Sequence, residues 1–116
     1  MKTMQEIIQE IKDTPFPLMT AIKEIINERA RQVIKWGKQS WPDGTGKPTA
    51  QTFAESAKSL NDYERTTGET NWARILEEEF WEALTETDPK KLREELVQVA
   101  AVAVAWVEDI DTRGDK

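Results

Sequence analysis

The chain contains no cysteine and no histidine among its 116 residues. The first absence excludes disulfides, a thiolate nucleophile and cysteine-ligated metal sites. The second removes imidazole as acid, base or zinc ligand. Acid–base work must fall to carboxylates, lysine, the single tyrosine or water on a metal ion. Long hydrophobic runs are also missing. Nothing approaches the roughly 20 apolar residues that a membrane-spanning helix needs. Charges interrupt the opening Met1-Lys2-Thr3-Met4-Gln5-Glu6, so no signal peptide is expected and a cytoplasmic location follows. Basic residues are in deficit: 16 Lys and Arg face 22 Asp and Glu, a net charge of −6. A nucleic-acid backbone is therefore not an expected partner, and a DNA-binding regulator would lack its basic recognition helix. No period-two strand pattern and no internal repeat is present.

What remains is helical periodicity in a chain of one domain's length. Met4, Ile7, Ile8 and Ile11 stripe a short first helix, which Asp13-Thr14-Pro15-Phe16-Pro17 breaks. This arm, residues 1–17, is too small to fold alone and must dock on the body or on another subunit. A second helix is predicted over Thr20–Trp36, with Ile22, Ile25, Ile26, Ala30, Val33 and Ile34 buried. Arg29 falls on that stripe, four residues from both Ile25 and Val33, and would need an anionic partner there. Gly37 to Pro48 reads as a loop, with turn chemistry at Pro42-Asp43-Gly44-Thr45-Gly46. Its tryptophans, Trp36 and Trp41, stand beside Lys35, Lys38 and Lys47. That arrangement suits base stacking and phosphate contact, and equally suits anchoring of the loop to the core. Thr49 is expected to cap a third helix, Ala50 to about Thr66, with Phe53, Ala57 and Leu60 inward. Lys58 and Asp62 on its polar face are four apart and can form an ordinary ion pair. Gly68 ends that helix and Asn71 caps the next.

The stretch that organises the chain is Ile75–Asp109. Between Arg74 and Lys90 stand six carboxylates, Glu77, Glu78, Glu79, Glu82, Glu86 and Asp88, and no base. Like charges three or four apart destabilise a helix, so such a stripe is either fully solvated or holds a cation. Trp72, Leu76, Phe80, Ala83 and Leu84 form the apolar face beside it. Asp88-Pro89 reads as an N-cap followed by proline at the first helical position, so two helices fold back as antiparallel neighbours. Glu82 lies six residues before Asp88 and Glu95 seven after, while Glu78 and Gln98 each lie ten away. At about 1.5 Å of rise per residue, Glu82 sits level with Glu95 and Glu78 level with Gln98. Oxygen donors converging in this way suit Mg²⁺ or Mn²⁺. The last helix, Pro89 to about Asp109, is apolar all round over Val99–Val107. It is read as a core element and a subunit interface, with Ile110 to Lys116 a polar tail.

The pattern Glu-Glu-x-x-Glu, a gap of twelve, then Glu-x-x-Gln resembles the signature of the all-α nucleoside triphosphate pyrophosphohydrolases of the MazG-like group, above all the short phage and bacterial members. Trp72–Ile110, about a third of the chain, carries the core of the resemblance. Glu28-Arg29-Ala30-Arg31-Gln32, Lys35-Trp36-Gly37-Lys38-Gln39 and Pro42-Asp43-Gly44-Thr45 look like the N-terminal half of the same proteins. The resemblance implies an all-α, four- to five-helix bundle that assembles as a dimer or tetramer. It also implies Mg²⁺-dependent hydrolysis of (deoxy)nucleoside triphosphates to monophosphate and pyrophosphate, with Mn²⁺ able to substitute. The implied metal ligands and catalytic residues are Glu78, Glu79, Glu82 and Glu95. Gln98 stands where the family usually carries aspartate. It is open to three roles: ligand, partner of a metal-bound water, or mark of a site with fewer ions. Arg29, Gln32, Lys35, Trp36, Lys38 and Lys58 are the candidate substrate contacts, and Arg31 belongs to the same cationic stretch. The competing expectation is a non-catalytic relative that binds nucleotide or another protein.

Overall fold

The structure is a computed structural model that describes residues 1–13 and 17–113. The described residues form five helices and no strand: α1 (Met4–Asp13), α2 (Leu18–Trp36), α3 (Pro48–Thr67), α4 (Trp72–Thr85) and α5 (Pro89–Arg113). The all-α class expected from the periodicity is the class observed. The middle of the expected break after α1, residues 14–16, and the end of the expected tail, residues 114–116, lie outside the described residues. The chain divides into two compact units, Met1–Trp41 with Val104–Lys116, and Pro42–Ala103.

In the Pro42–Ala103 unit, each helix end has an identifiable cause. Pro48 occupies the first turn of α3, where its missing N–H costs no hydrogen bond. The cap residue is Lys47 rather than Thr49. Gly68 closes α3 in the left-handed conformation, φ 76° and ψ 13°, and the Glu69 N–H reaches the Glu64 carbonyl at 2.8 Å. A glycine accepts that backbone without the steric penalty of a Cβ. The Asn71 side chain caps α4, accepting from the Arg74 N–H at 3.0 Å. After α4, the Gly46 N–H donates to the Leu84 carbonyl at 2.9 Å and ties the 42–47 loop to the helix end. Gly46 has φ +83°, and a Cβ there would stand 2.4 Å from Thr87 Cγ2. Gly46→Ala must strain the backbone and displace Thr87, so a loss of about 1–3 kcal/mol is expected in urea unfolding.

Helices α3 and α4 pack through small side chains. The buried face of α3 is Ala50, Ala54, Ala57 and Asn61, and Ala83 is the buried residue of α4. This corrects the expected inward set: Ala57 is buried, but Phe53 and Leu60 are exposed. Alanines let two backbones approach closely, which leaves room for large rings only at the flanks. Phe53 accordingly stacks on Trp81 there, centroids 4.7 Å apart, and Phe80 meets Trp81 edge-on at 5.1 Å. Arg74 clamps the pair. Its Nε lies 3.1 Å from both carboxylate oxygens of Glu64 on α3, and Nη1 lies 3.2 Å from Glu77 on α4.

In the other unit, α1 has no buried residue and α2 has one, Ala21. Ile25, Ile26, Val33 and Ile34, expected inside, are exposed. Arg29 is exposed as well, and its Nη1 donates to Gln32 Oε1 at 2.6 Å. The expectation of a buried, anion-seeking Arg29 is therefore corrected: the stripe it shares is not enclosed, so its charge stays in water. Helix α5 runs to Arg113, four residues past its expected end, and Arg113 pairs with Asp109 at 3.2 Å, one turn back. Leu92 is the buried residue of α5, while Val99 and Val102–Trp106 are half-buried and Val107 is exposed, so the stretch expected to be buried on all sides is not.

Candidate metal centre

Residues 78, 79 and 82 of a helix with 3.6 residues per turn share one arc of its surface. Helix α4 therefore presents Glu78, Glu79 and Glu82 together, and the turn at 86–88 returns α5 with Glu95. One carboxylate oxygen from each of Glu79, Glu82 and Glu95 lies within 4.8 Å of the other two. Equal depth along the hairpin, counted from Asp88, brings Glu82 and Glu95 to one place.

Two oxygens of this group, Glu79 Oε2 and Glu95 Oε2, are buried and have no hydrogen-bond partner among the described residues. Buried polar atoms without partners are rare because desolvation is then uncompensated. Partial burial pushes the Glu79 carboxyl above the usual carboxylate range, and the charges of Glu95 and Glu78 push it further. Glu82 rises for the same first reason, then through Glu79, Glu78 and Glu95, with Lys58 opposing. A hard cation bound at about 2.1 Å holds opposite ligand oxygens about 4.2 Å apart. The 4.8 Å grouping is close to that span, and the donor set is the all-oxygen type such ions prefer. The residues therefore fit a divalent cation.

Glu78 is held differently from the other three. Its Oε2 accepts from Asn61 Nδ2 at 2.5 Å. It still lies close enough to raise the pKa of both Glu79 and Glu82. Gln98 is exposed on α5, three residues beyond Glu95. Lys58, on α3, forms the ion pair that its spacing suggested, 3.0 Å from Asp62. The same ammonium feels Glu78 and Glu82, although Asp62 is the main cause of its raised pKa. Arg29, Gln32, Lys35, Trp36 and Lys38 belong to the other unit. There Lys35 Nζ sits 4.7 Å from the centre of the Trp36 ring.

Sequence reasoning missed Asn61, which is fully buried and touches Glu78. No local signal marked it, because its partner lies on another helix, 17 residues along the chain. Comparisons with family models, curated proteins and solved structures match nothing to this chain.

The raised carboxyls set a pH dependence. Glu79 and Glu82 bind protons more tightly folded than unfolded, where the ordinary value is 4.5. Their contribution thus destabilises the cation-free fold above the raised pKa values and is relieved as pH falls toward 4.5. The double variant Glu79→Gln/Glu82→Gln should melt higher than the cation-free wild type at pH about 7, and the gap should narrow at pH about 5. Equal melting temperatures at both pH values would contradict this.

Proposed function

We propose that the chain is a divalent-cation-dependent nucleoside triphosphate pyrophosphohydrolase of the MazG-like kind, acting on deoxynucleotides and releasing monophosphate and pyrophosphate. The observation that carries the reading is the convergence of Glu79, Glu82 and Glu95 with two buried, unpartnered carboxylate oxygens. The Glu-Glu-x-x-Glu and Glu-x-x-Gln spacing supports it. So does the acidic character of the site, because a triphosphate approaches such a cluster only through bridging cations.

In this account Glu79, Glu82 and Glu95 are the primary ligands, Glu78 adds charge at their edge, and Gln98 offers a neutral oxygen one turn beyond Glu95. Mg²⁺ or Mn²⁺ held by these side chains would supply charge neutralisation of the phosphate oxygens and a more acidic water. One glutamate of the set would orient an attacking water and accept its proton as the water oxygen bonds to the α-phosphorus. The α–β bridging bond breaks, and the electron pair leaves with pyrophosphate. Lys58 is assigned as a phosphate contact, since its ammonium already lies within the field of Glu78 and Glu82. Self-association belongs to the same reading. Phe53, Leu60, Phe80, Leu96 and Val97 are large, apolar and exposed, as a surface met by another copy would be.

A panel of deoxynucleoside and ribonucleoside triphosphates, incubated with Mg²⁺ and then with Mn²⁺, tests the function. Equal yields of monophosphate and pyrophosphate are expected. Diphosphate with orthophosphate would reject the bond assignment. No product with either ion would favour the second reading, a non-catalytic nucleotide-binding or protein-interaction relative. That reading draws its support from the neutral Gln98 in place of an acid.

A further inference from the structure

Asn61 is completely shielded from solvent, and among the described residues it is the one buried polar side chain. Its side chain joins three segments. It sits on α3, donates to Glu78 on α4, and accepts the hydroxyl of Thr70 from the α3–α4 connection through Oδ1. The Thr70 hydroxyl also lies 3.4 Å from the Asn61 carbonyl. The orientation of the amide follows from chemistry. A carboxylate can only accept, so the face of Asn61 toward Glu78 must be the NH₂ group. The reversed amide would set two acceptors against each other inside the protein, while Thr70 can serve either orientation. A buried amide with both ends engaged cannot rotate cheaply. Glu78 therefore has one oxygen fixed, and its other oxygen makes no hydrogen bond among the described residues.

We infer that Asn61, locked by Thr70, is a positioning residue that fixes the Glu78 carboxylate at the edge of the Glu79, Glu82 and Glu95 group, so that its charge adds to that of the three ligands. This rests on the reading of Glu79, Glu82 and Glu95 as a cation site. Groups that orient metal-binding carboxylates through hydrogen bonds commonly change affinity by about 10–100-fold when removed. A purely structural Asn61 would change stability and leave cation affinity alone.

The test is Mn²⁺ affinity, read from the electron paramagnetic resonance of the free ion at a temperature where every variant is folded. Asn61→Ala and Thr70→Val should each weaken Mn²⁺ binding about tenfold. In a Glu78→Gln background, Asn61→Ala should cause no further loss, because its action runs through that carboxylate. Thr70→Val removes one methyl-sized hydroxyl at the edge of the core, and it decides the matter if Asn61→Ala does not fold. Wild-type affinity in Thr70→Val, or an undiminished Asn61→Ala effect in Glu78→Gln, would overturn the inference and leave the cation site standing. Equal Mn²⁺ binding by wild type and Glu82→Gln would instead remove the cation site itself, and the inference with it.

Discussion

Glu82→Gln is expected to lower kcat/KM for triphosphate hydrolysis by at least about 100-fold, equivalent to about 2.7 kcal/mol of lost transition-state stabilisation. Glu82 is the member of the cluster whose carboxyl feels every other glutamate of the group. Replacing it with an amide of the same shape removes a negative carboxylate from the cluster without opening a cavity. It also removes repulsion from Glu79, Glu78 and Glu95, so the cation-free variant should melt no lower than wild type. Loss of turnover together with retained or raised stability is the signature of a site held together against its own charge. Steady-state kinetics with Mg²⁺ and thermal melts in a chelator check both halves. Unaltered turnover would move the chemistry away from this hairpin.

The second large effect concerns the scaffold. Ala57→Leu should destabilise the protein by about 1–3 kcal/mol. Ala57 is 3 % exposed on the face of α3 that packs against α4, and its neighbours one turn away are Ala54 and Asn61. A leucine there must push the two helices apart or adopt a strained rotamer. The separation would carry Asn61 away from Glu78, so cation affinity should fall along with stability. The matching substitution Ser59→Leu, on the exposed side of the same helix, should have little effect. Urea unfolding of the two variants, compared at equal m-value, separates packing from helix propensity.

Much of this architecture was legible in the chain. Helical periodicity, Gly68 and Asn71 placed the ends of α3 and α4 within a residue or two, because each signal is local: a left-handed cap and a side-chain cap. The meeting of Glu82 and Glu95 was legible for a related reason. A helix has a fixed rise, and a short turn converts residue counts into depth. The facing of α3 was not. Hydrophobicity nominated Phe53 and Leu60 for the interior, whereas helix separation selected Ala50, Ala54 and Ala57. How closely two helices approach depends on both partners at once, which no single-helix pattern contains. The same limit hid Asn61, whose partner Glu78 is 17 residues away. The misplacement of Arg29 had another origin. A stripe of Ile25, Ile26, Val33 and Ile34 implies burial only if something covers it, and within this chain those side chains are exposed.

The most direct measurement is anomalous diffraction from crystals soaked in Mn²⁺. The account predicts a peak bounded by the carboxylates of Glu79, Glu82 and Glu95, lost in Glu82→Gln crystals soaked alike. Soaked wild-type crystals with no Mn²⁺ among those three side chains would contradict it.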